Sequence, residues 1–357
     1  MTGHAQTRTR VRRLPRVVEV GAGTLAELPG TLLRAGFPLE RVLVVCGGET
    51  TERWARQVAD RLTGVSDWVD IRRAGAGSCA DAERVGAVAR ELDVDLLVAV
   101  GGGRAIDVAK IAALSCEVDV VVVPTAVSHD GISSPVTSLL NAAGERNSQP
   151  GAVPAAVIID TELVAAAPAR LLIAGAGDLL SNLSATEDWR LADRRGLESF
   201  DAYAALIADG AAQPLLRLER LSTPAGVETL AKGLILSGLA MVTAGTSRPC
   251  SGAEHLISHS LDALLGGRAR LHGEQVALGM LVTAAARGLP EQAEALRSAF
   301  GRLGLPLQPA DVGLSMDVMA QAVRTARATR PGRYTVLDEI DLGSAAVFDL
   351  LERAFLQ

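Results

Sequence analysis

Short apolar segments alternate with longer helical ones through the first half of the chain, and this alternation constrains the fold more than any other feature. Six segments are strand-like: RVVEV (16–20), RVLVVC (41–46), DWVDIRR (67–73), DLLVAV (95–100), VDVVVVP (118–124) and AVIID (156–160). Between them, helical spacing occurs at 23–36, 51–62, 81–92 and 105–114. Strands separated by such helices are typical of βαβ units, and strands without polar alternation are typical of a parallel sheet covered on both faces. The pattern predicts an α/β, Rossmann-like parallel-sheet domain at the N-terminus.

The pattern changes after about residue 165, where Ala- and Leu-rich helical segments such as GVETLAKGLILSGLAMVTAG replace the strand-like ones. A chain of 357 residues is long for one hydrophobic core. We therefore expect two domains, an α/β domain at 1–165 and an all-α domain at 166–357. No long linker or low-complexity tract separates them, so they should pack closely, with the cleft between them as the default ligand site.

Charge and cysteine usage narrow the class of protein. The formal net charge of −6 argues against nucleic acid or an anionic membrane as the main partner. The four cysteines are scattered without a CxxC pair, which favours reduced thiols in a cytoplasm. The basic segment 1–16 lacks the apolar stretch of a signal peptide, and we expect a frayed tail there rather than an interaction arm. No run approaches the roughly 18 apolar residues of a membrane span, so no integral membrane contact is expected.

The segment VAVGGGRAID places Gly101, Gly102 and Gly103 between a strand and a helix. Glycines allow a sharp turn and close approach to a ligand, and a helix N-terminus suits a pyrophosphate. The spacing differs from GxGxxG, so an anion site and a plain tight turn both remain open. Asp107, one turn into the helix, is either a partner of the helix dipole or a cofactor contact.

A second loop, PTAVSHDGISSP (124–135), follows the next strand and is dense in side-chain donors and acceptors. It lies at the carboxyl end of a parallel strand, where open α/β sheets bind ligands. Its position favours a ligand site over a simple cluster of turns.

Three of the five histidines lie within 18 residues. His255 and His259 are four apart and share one helix face, and His272 follows in LHGEQ. The pair differs from the HExxH motif of zinc proteases because Glu254 precedes the first histidine. Asp178, in AGAGDLLSN, is a third candidate ligand, brought in by glycines before a helical run. Two histidines and a carboxylate with an open position make a workable catalytic metal site, which we favour over separate surface or core histidines.

Five motifs occur in an order that resembles one enzyme family. They are GGGRAIDVAK, PTAVSHDGISSP, GDLLSNLSATEDWRLA, SRPCSGAEHLISHSLD and LHGEQVALG. Together they are similar to the sn-glycerol-1-phosphate dehydrogenases, within the superfamily of glycerol dehydrogenases, iron-type alcohol dehydrogenases and dehydroquinate synthases. The resemblance covers roughly residues 15–290, and the tail after about residue 300 is less informative. It implies a parallel-sheet nucleotide domain, an all-helical metal-binding domain, NAD or NADP, one zinc ion per chain, and a homo-oligomer.

The resemblance also implies roles for individual residues. Asp178, His255 and His272 would hold zinc, or another divalent ion. Asp130, Asp178 and His259 would act in catalysis: Asp130 and His259 would face the substrate, and Asp178 would border it. The residues that would line the dinucleotide are Gly101, Gly102, Gly103, Arg104, Ala105, Ile106, Asp107, Thr125, Ala126, Val127, Ser128 and Ser134.

The implied reaction is the reversible reduction of dihydroxyacetone phosphate to sn-glycerol 1-phosphate. We hypothesise that His259 passes a proton to the developing alkoxide, because imidazole titrates near neutrality. Two alternatives stay open: a related dehydrogenase for another small ketone or polyol in a specialised pathway, and a sugar-phosphate cyclase of the dehydroquinate synthase type. Catalytic silence is a further alternative that the intact set of presumed metal ligands disfavours.

Two details of the ligands stay open at the level of sequence. Only two lysines occur, Lys110 and Lys232, so a phosphate clamp must use arginine, backbone amides or hydroxyls. Arg248 lies near the metal motif but has no assigned role. The second strand ends in CGGETT with Glu49 three residues on, which leaves NAD and NADP equally open.

Overall fold

The structure is a computed structural model that describes residues 14–356, so most of the basic segment expected to be a frayed tail lies outside the described residues. Its strands are β1 (Val17–Gly21), β2 (Arg41–Cys46), β3 (Trp68–Arg73), β4 (Leu96–Gly101), β5 (Asp119–Pro124), β6 (Val136–Leu140), β7 (Arg146–Pro150) and β8 (Ala156–Asp160). All six predicted strands are present, each within one residue of its expected start.

The six predicted strands form one sheet in the order β1-β8-β5-β4-β2-β3, and every pairing in it is parallel. The central strands are buried along almost their whole length, as expected for a sheet with helices on both faces. The predicted α/β architecture is therefore confirmed.

The order of the strands reverses at β2, which pairs with β3 on one side and with β4 on the other. A reversal of this kind opens a crevice at the carboxyl ends of the two strands, and open α/β sheets bind ligands there. The loops that follow β2 and β4 are both rich in glycine, with Gly47 and Gly48 in one and Gly102 and Gly103 in the other. The glycine turn thus lies at the topological switch point of the sheet.

A short antiparallel hairpin of β6 and β7 was not predicted. Strand β7 reads RNSQP and is mostly exposed, so it lacks the apolar alternation that marks a strand in a sequence. The turn is closed by Asn141, whose Oδ1 accepts the N–H groups of Ala143 and Glu145. The hairpin folds because its first strand packs against α4 and the polar groups of its turn are locally hydrogen-bonded.

Helices cover the sheet and then make up the rest of the chain. The N-terminal half contains α1 (Thr24–Arg34), α2 (Glu49–Leu62), α3 (Cys79–Glu91) and α4 (Gly103–Cys116). After β8 come α5 (Thr161–Ala165), α6 (Ala169–Leu180), α7 (Asn182–Arg194), α8 (Ala202–Ala212), α9 (Pro224–Ala244), α10 (Ala253–Leu265), α11 (His272–Arg287), α12 (Pro290–Leu303), α13 (Met316–Thr325) and α14 (Ser344–Phe355). A helical C-terminal half therefore follows the sheet, as predicted. Among the described residues, only α9 is long and apolar enough to cross a membrane, and most of it is buried inside the protein.

Glycines allow α6 and α11 to touch at the level of their backbones. A Cβ added to Gly273 would lie 1.7 Å from Ala174 O, and one added to Gly177 would lie 2.2 Å from Gly273 O. A Cβ added to Gly175 would likewise lie 2.0 Å from Val127 O, in the loop after β5. We expected the glycines around 175–177 to precede a helix, but they lie inside α6, because close packing of two helices favours small residues as strongly as a turn does.

The loop after β5 packs against α9 and so joins the two halves. The hydroxyl of Ser133 lies 3.2 Å from Leu234 O and 3.1 Å from Ile235 O. A Cβ added to Gly238 would meet Ser133 Oγ at 2.1 Å, so that α9 and this loop are in direct contact. The polar loop is held between the edge of the sheet and the helical half.

Candidate active site

The glycine turn and the loop after β5 lie side by side. Gly101 pairs with Pro124 in the sheet, and Gly101 O accepts the N–H of Thr125 at 3.0 Å. Gly102 is the N-cap of α4 and Gly103 its first residue, so the free N–H groups of the first turn lie at the switch point. This arrangement suits the pyrophosphate of a dinucleotide.

His129 contacts the glycine turn from the second loop. A Cβ added to Gly103 would lie 2.2 Å from His129 Nε2, so a larger residue at that position would displace this imidazole. Nδ1 of His129 accepts the N–H of Gly131 at 3.1 Å, and burial lowers the pKa of this imidazole. His129 is therefore a neutral spacer that sets the distance between the two loops.

The structure separates the residues predicted to line the dinucleotide into two groups. Gly102, Gly103, Arg104 and Ser128 are half-buried or exposed at the end of the sheet, whereas Gly101, Ala105, Ile106, Asp107, Thr125, Ala126, Val127 and Ser134 are buried. The N–H groups of Ala105 and Ile106 both donate to Gly102 O. The hydroxyl of Ser134 lies 3.3 Å from Val136 O. The buried members support the turn from below, and their contact with a cofactor stays a prediction.

Asp107 and Lys110 are buried beneath the second loop and hydrogen-bond to its backbone and to β6. Oδ2 of Asp107 accepts the N–H of Ser138 at 2.9 Å, while Lys110 Nζ donates to Gly131 O at 3.0 Å and Val136 O at 2.7 Å. Burial raises the pKa of Asp107 and lowers that of Lys110, and the attraction between the two side chains opposes both shifts. The Asp107 carboxylate therefore holds β6, and a contact of Asp107 with a cofactor stays a prediction.

Asp178, His255 and His272 converge from three helices, although the sequence separates them by up to 94 positions. They offer one ligand atom each, and these atoms all lie within 4.8 Å of one another. Asp178 Oδ1 is 3.7 Å from His255 Nε2 and 3.4 Å from His272 Nε2. Two ligands about 2.1 Å from one tetrahedral ion lie about 3.4 Å apart. The spacing therefore fits a bound divalent cation.

Nδ1 of each histidine has a hydrogen-bond partner of its own, so Nε2 is the ring nitrogen that faces Asp178 and the position for a cation. His255 Nδ1 lies 2.9 Å from Glu254 Oε1, and His272 Nδ1 lies 3.2 Å from Ser258 Oγ. Glu254 is itself fixed by the N–H of Gly252 at 2.6 Å. Partners of this kind fix the tautomer and orientation of metal-binding imidazoles.

Asp130 lies next to the triad (Asp178, His255 and His272). Its backbone N–H donates to Asp178 Oδ2 at 2.8 Å, and its own Oδ2 lies 2.9 Å from the hydroxyl of Ser237 on α9. Burial and the neighbouring Asp178 carboxylate raise the pKa of Asp130 to about 7. The contact with Asp178 connects the loop of the dinucleotide end directly to the triad.

The charges within the triad are strongly interdependent. Burial disfavours the ionised form of Asp178, but hydrogen bonds from His255 and His272 outweigh burial and lower its pKa. Burial likewise disfavours the charged form of His255, but Asp178 and Glu254 raise its pKa to about 9. The ionised Asp178 carboxylate, which His255 and His272 stabilise, therefore supplies the negative charge that a cation would pair with.

His259 lies one turn beyond His255 on α10. Its ring centroid is 6.3 Å from that of His255 and 6.2 Å from that of His272, so it borders the triad without joining it. Burial lowers the pKa of His259 to about 3, with repulsion from His272, His255, Arg330 and Arg333 adding to the shift. The imidazole is neutral at physiological pH and keeps one N–H that it can share.

Sequence reasoning missed two residues of this site. Glu254 was noted only as a departure from HExxH, although a carboxylate in the first turn of α10, adjacent to a candidate ligand, could have indicated the partner of His255. His129 was quoted within its loop without a role. Its contact with Gly103 joins two loops 26 positions apart, and no local pattern indicates it.

Comparison with known proteins agrees with this geometry. Residues 19–168 match the family model for iron-containing alcohol dehydrogenases. A glycerol-1-phosphate dehydrogenase [NAD(P)+] from Pyrobaculum neutrophilum is 35% identical over 346 residues, which cover 93% of this chain and 95% of the relative. The enzyme of that name from Thermoplasma acidophilum is 36% identical over 346 residues, covering 96% and 97%.

A solved structure shares the fold. The probable glycerol dehydrogenase of Sinorhizobium meliloti matches with a TM-score of 0.75 and 27% identity, covering 96% of this chain and 97% of that one. Identity above 35% with curated relatives, over nearly the whole of both chains, confirms the resemblance inferred from the five motifs. The chain therefore belongs to the glycerol-1-phosphate dehydrogenase family, within the superfamily of iron-containing alcohol and glycerol dehydrogenases, and is a dehydrogenase of that type.

Proposed function

We propose that the protein interconverts dihydroxyacetone phosphate and sn-glycerol 1-phosphate, with NAD or NADP as the hydride carrier and zinc as the bound ion. One observation carries the proposal: the glycine turn, the loop after β5 and the triad form a continuous series of contacts from Gly103 through His129 and Asp130 to Asp178. A nicotinamide placed by the turn would thus lie near a substrate placed at the triad.

The residues of the triad fit a divalent cation on the basis of their spacing and donor atoms. Two imidazole nitrogens and one carboxylate oxygen are a donor set that catalytic zinc sites use, with a further position open. When bound, such an ion supplies Lewis acidity, which favours negative charge on a carbonyl oxygen. Asp178, His255 and His272 would hold it, and Glu254 and Ser258 would orient the two imidazoles.

Other residues of the chain position the reactants and manage protons. The first turn of α4 would bind the dinucleotide pyrophosphate through N–H groups of Gly103 and Arg104. Asp130 is held by Ser237 beside the triad, where its carboxyl could accept a hydrogen bond from a substrate hydroxyl. The buried surroundings of Asp130 and His259 would exclude bulk water from the reacting carbon.

Burial lowers the pKa of His259 to about 3, so its imidazole is not the near-neutral proton donor expected from the sequence. His259 is instead proposed to donate a hydrogen bond from its neutral N–H to the oxygen that becomes an alcohol. Losing one such donor typically reduces turnover by about 10²–10³-fold, so we expect a loss of that size in His259→Ala at every pH. The measurement is kcat as a function of pH with metal content determined in parallel. Near-normal turnover at all pH values, with metal retained, would show that His259 makes no such contribution.

The substrate is tested by following NADH and NADPH absorbance with zinc-loaded protein. We expect rapid oxidation with dihydroxyacetone phosphate and slow oxidation with dihydroxyacetone. Chiral analysis of the product should give sn-glycerol 1-phosphate. No reaction with dihydroxyacetone phosphate alongside rapid reaction with another ketone would replace the proposed substrate, and turnover without net change in NADH would indicate a cyclase.

We also propose the organisation in which this reaction occurs. Residues 1–165 would form the dinucleotide-binding domain and 166–357 the helical metal-binding and catalytic domain. The four cysteines are all free thiols, which supports the cytoplasm as the compartment. A homo-oligomer is proposed from the family resemblance, and light scattering coupled to size-exclusion chromatography measures it.

A further inference from the structure

Three arginine side chains converge on the loop that leads into α10. Nη1 of Arg330 and Nη2 of Arg333 each donate to Ser247 Oγ at 3.1 Å. Nη1 of Arg333 also donates to the carbonyl of Ser251. The third, Arg248, is almost fully buried and donates to Tyr334 O at 2.8 Å. We refer to Arg248, Arg330 and Arg333 as the arginine cluster.

The arginine cluster carries more positive charge than its carboxylate partners balance. Glu198 pairs with Arg248 through two N–H groups, one of them at 2.6 Å. In the described part of the chain, Arg330 and Arg333 hydrogen-bond only to neutral oxygens. Glu198 attracts Arg330 and Arg333 at longer range, but it is already paired with Arg248. Glu254 attracts Arg333 more weakly, and its carboxylate is bound to His255 and Gly252.

These guanidinium groups are crowded as well as unbalanced. Burial and the neighbouring arginines lower the pKa of Arg333 to about 9, and burial and Arg248 lower the pKa of Arg330. Positive groups that are desolvated next to one another cost stability unless an anion joins them. Such an arrangement is typical of a site that binds an anion rather than of a structural ion pair.

Free donors point to the same conclusion. A guanidinium has five N–H groups, and within the described chain Arg330 uses one and Arg333 uses two. Ser247 Oγ accepts from both arginines, so its own proton can be donated outward. Several donors around one position match the oxygens of a phosphate, which binds guanidinium groups through paired hydrogen bonds.

The arginine cluster borders the triad. The charges of Arg330 and Arg333 both repel a proton on His259, which lies beside His255 and His272. Ser251, whose carbonyl Arg333 holds, is four residues before His255 and begins the turn into α10. An anionic group bound by these arginines would therefore lie on the His259 side of the triad.

We propose that Arg330 and Arg333, with Ser247, bind the phosphate of the substrate and select phosphorylated ketones over unphosphorylated ones. This inference rests on the proposed function for the identity of the substrate. The site would anchor the three-carbon chain at its phosphate end and leave its carbonyl beside the triad. Arg248, paired with Glu198, would position the loop rather than touch the ligand.

Two titrations test the site. The first measures binding of inorganic phosphate by calorimetry to the zinc- and NADH-loaded protein, in which the pyrophosphate position is already filled. Hydrogen bonds to charged groups are worth enough that losing one guanidinium should weaken binding about 10- to 100-fold. We expect that loss in Arg333→Gln and in Arg330→Gln.

The second titration varies the substrate concentration and compares the steady-state kinetics of two substrates. In both variants KM for dihydroxyacetone phosphate should rise by about the same factor, while kcat/KM for dihydroxyacetone stays unchanged. Arg324→Gln is the matched control, because Arg324 is exposed on α13 and its substitution removes the same charge from the same region. It should behave like the unsubstituted protein in both titrations.

The outcomes separate this inference from the proposed function. The phosphate site is wrong if phosphate binds both variants as tightly as it binds the unsubstituted protein. It is also wrong if kcat/KM falls by the same factor for dihydroxyacetone phosphate and for dihydroxyacetone. If the protein does not reduce dihydroxyacetone phosphate but loses phosphate binding in the variants, the site stands and the substrate must change. Should Arg333→Gln fail to fold, Arg330→Gln decides, since the Arg330 side chain makes a single hydrogen bond with the described residues.

Discussion

Asp178→Asn should remove the bound cation and lower turnover by about a thousandfold or more. Asp178 is the one anionic member of the triad, and both imidazoles lie within 3.7 Å of its Oδ1. Asparagine keeps the shape but loses the charge that offsets a divalent ion. A bound ion stabilises developing negative charge by several kcal/mol, and the variant loses this stabilisation. Each loss of about 1.4 kcal/mol lowers the rate tenfold.

The measurements are metal content by elemental analysis and kcat with saturating zinc. Asp349→Asn is the matched control, because Asp349 is an exposed aspartate on α14 and its replacement should alter neither quantity. A variant at position 178 that retains one zinc per chain and full turnover would show that the three side chains do not form the catalytic metal site.

Gly273→Ala should destabilise the protein and loosen the metal site together. The new methyl would lie 1.7 Å from the O, 2.5 Å from the C and 2.9 Å from the Cα of Ala174, all of which are backbone atoms of α6. No rotamer change can relieve such a contact, so α11 must move away from α6. Overpacking of this kind usually costs about 1–3 kcal/mol of unfolding free energy, and sometimes more.

The metal site should respond because His272 is the residue before Gly273 and Asp178 follows the glycines of α6. Denaturant unfolding measures the stability, and a competing chelator measures the affinity for zinc. Gly301→Ala is the control: it lies in α12 with nothing within 4 Å of the added carbon, and it should stabilise by about 0.5–1 kcal/mol. Unchanged zinc affinity in Gly273→Ala would show that the contact between α6 and α11 does not set the position of the ligands.

The sheet was predictable because its information is local. Each of the segments around Val42–Val45 or Leu96–Val100 is apolar over five or six residues, long enough to cross a buried sheet and too short for a typical helix. The order of the strands was not predicted, since every strand of a parallel sheet has a similar composition. The hairpin of β6 and β7 was missed because a polar, exposed strand has no such pattern.

In the candidate site, too, the residues with a local signal were predictable and the others were not. His255 and His272 were found because rare residues stood close together in sequence, and Asp178 because a motif carried it. Arg330 and Arg333 lie in the tail that was judged less informative. Their meaning comes from their surroundings: both donate to the hydroxyl of a distant loop, and neither forms a salt bridge with a carboxylate of the described residues. Arginine is common in this chain, so neither residue is distinctive until the fold places it.

The hydrogen bond from the backbone of Asp130 to Asp178 has a thermodynamic consequence. The loop that provides this N–H also touches the glycine turn through His129, so a shift of the loop on binding nucleotide would alter the environment of the metal carboxylate. Any such effect must be mutual: if the ion tightens nucleotide binding by some factor, nucleotide tightens the ion by that same factor. Removing the metal would then weaken nucleotide binding as well.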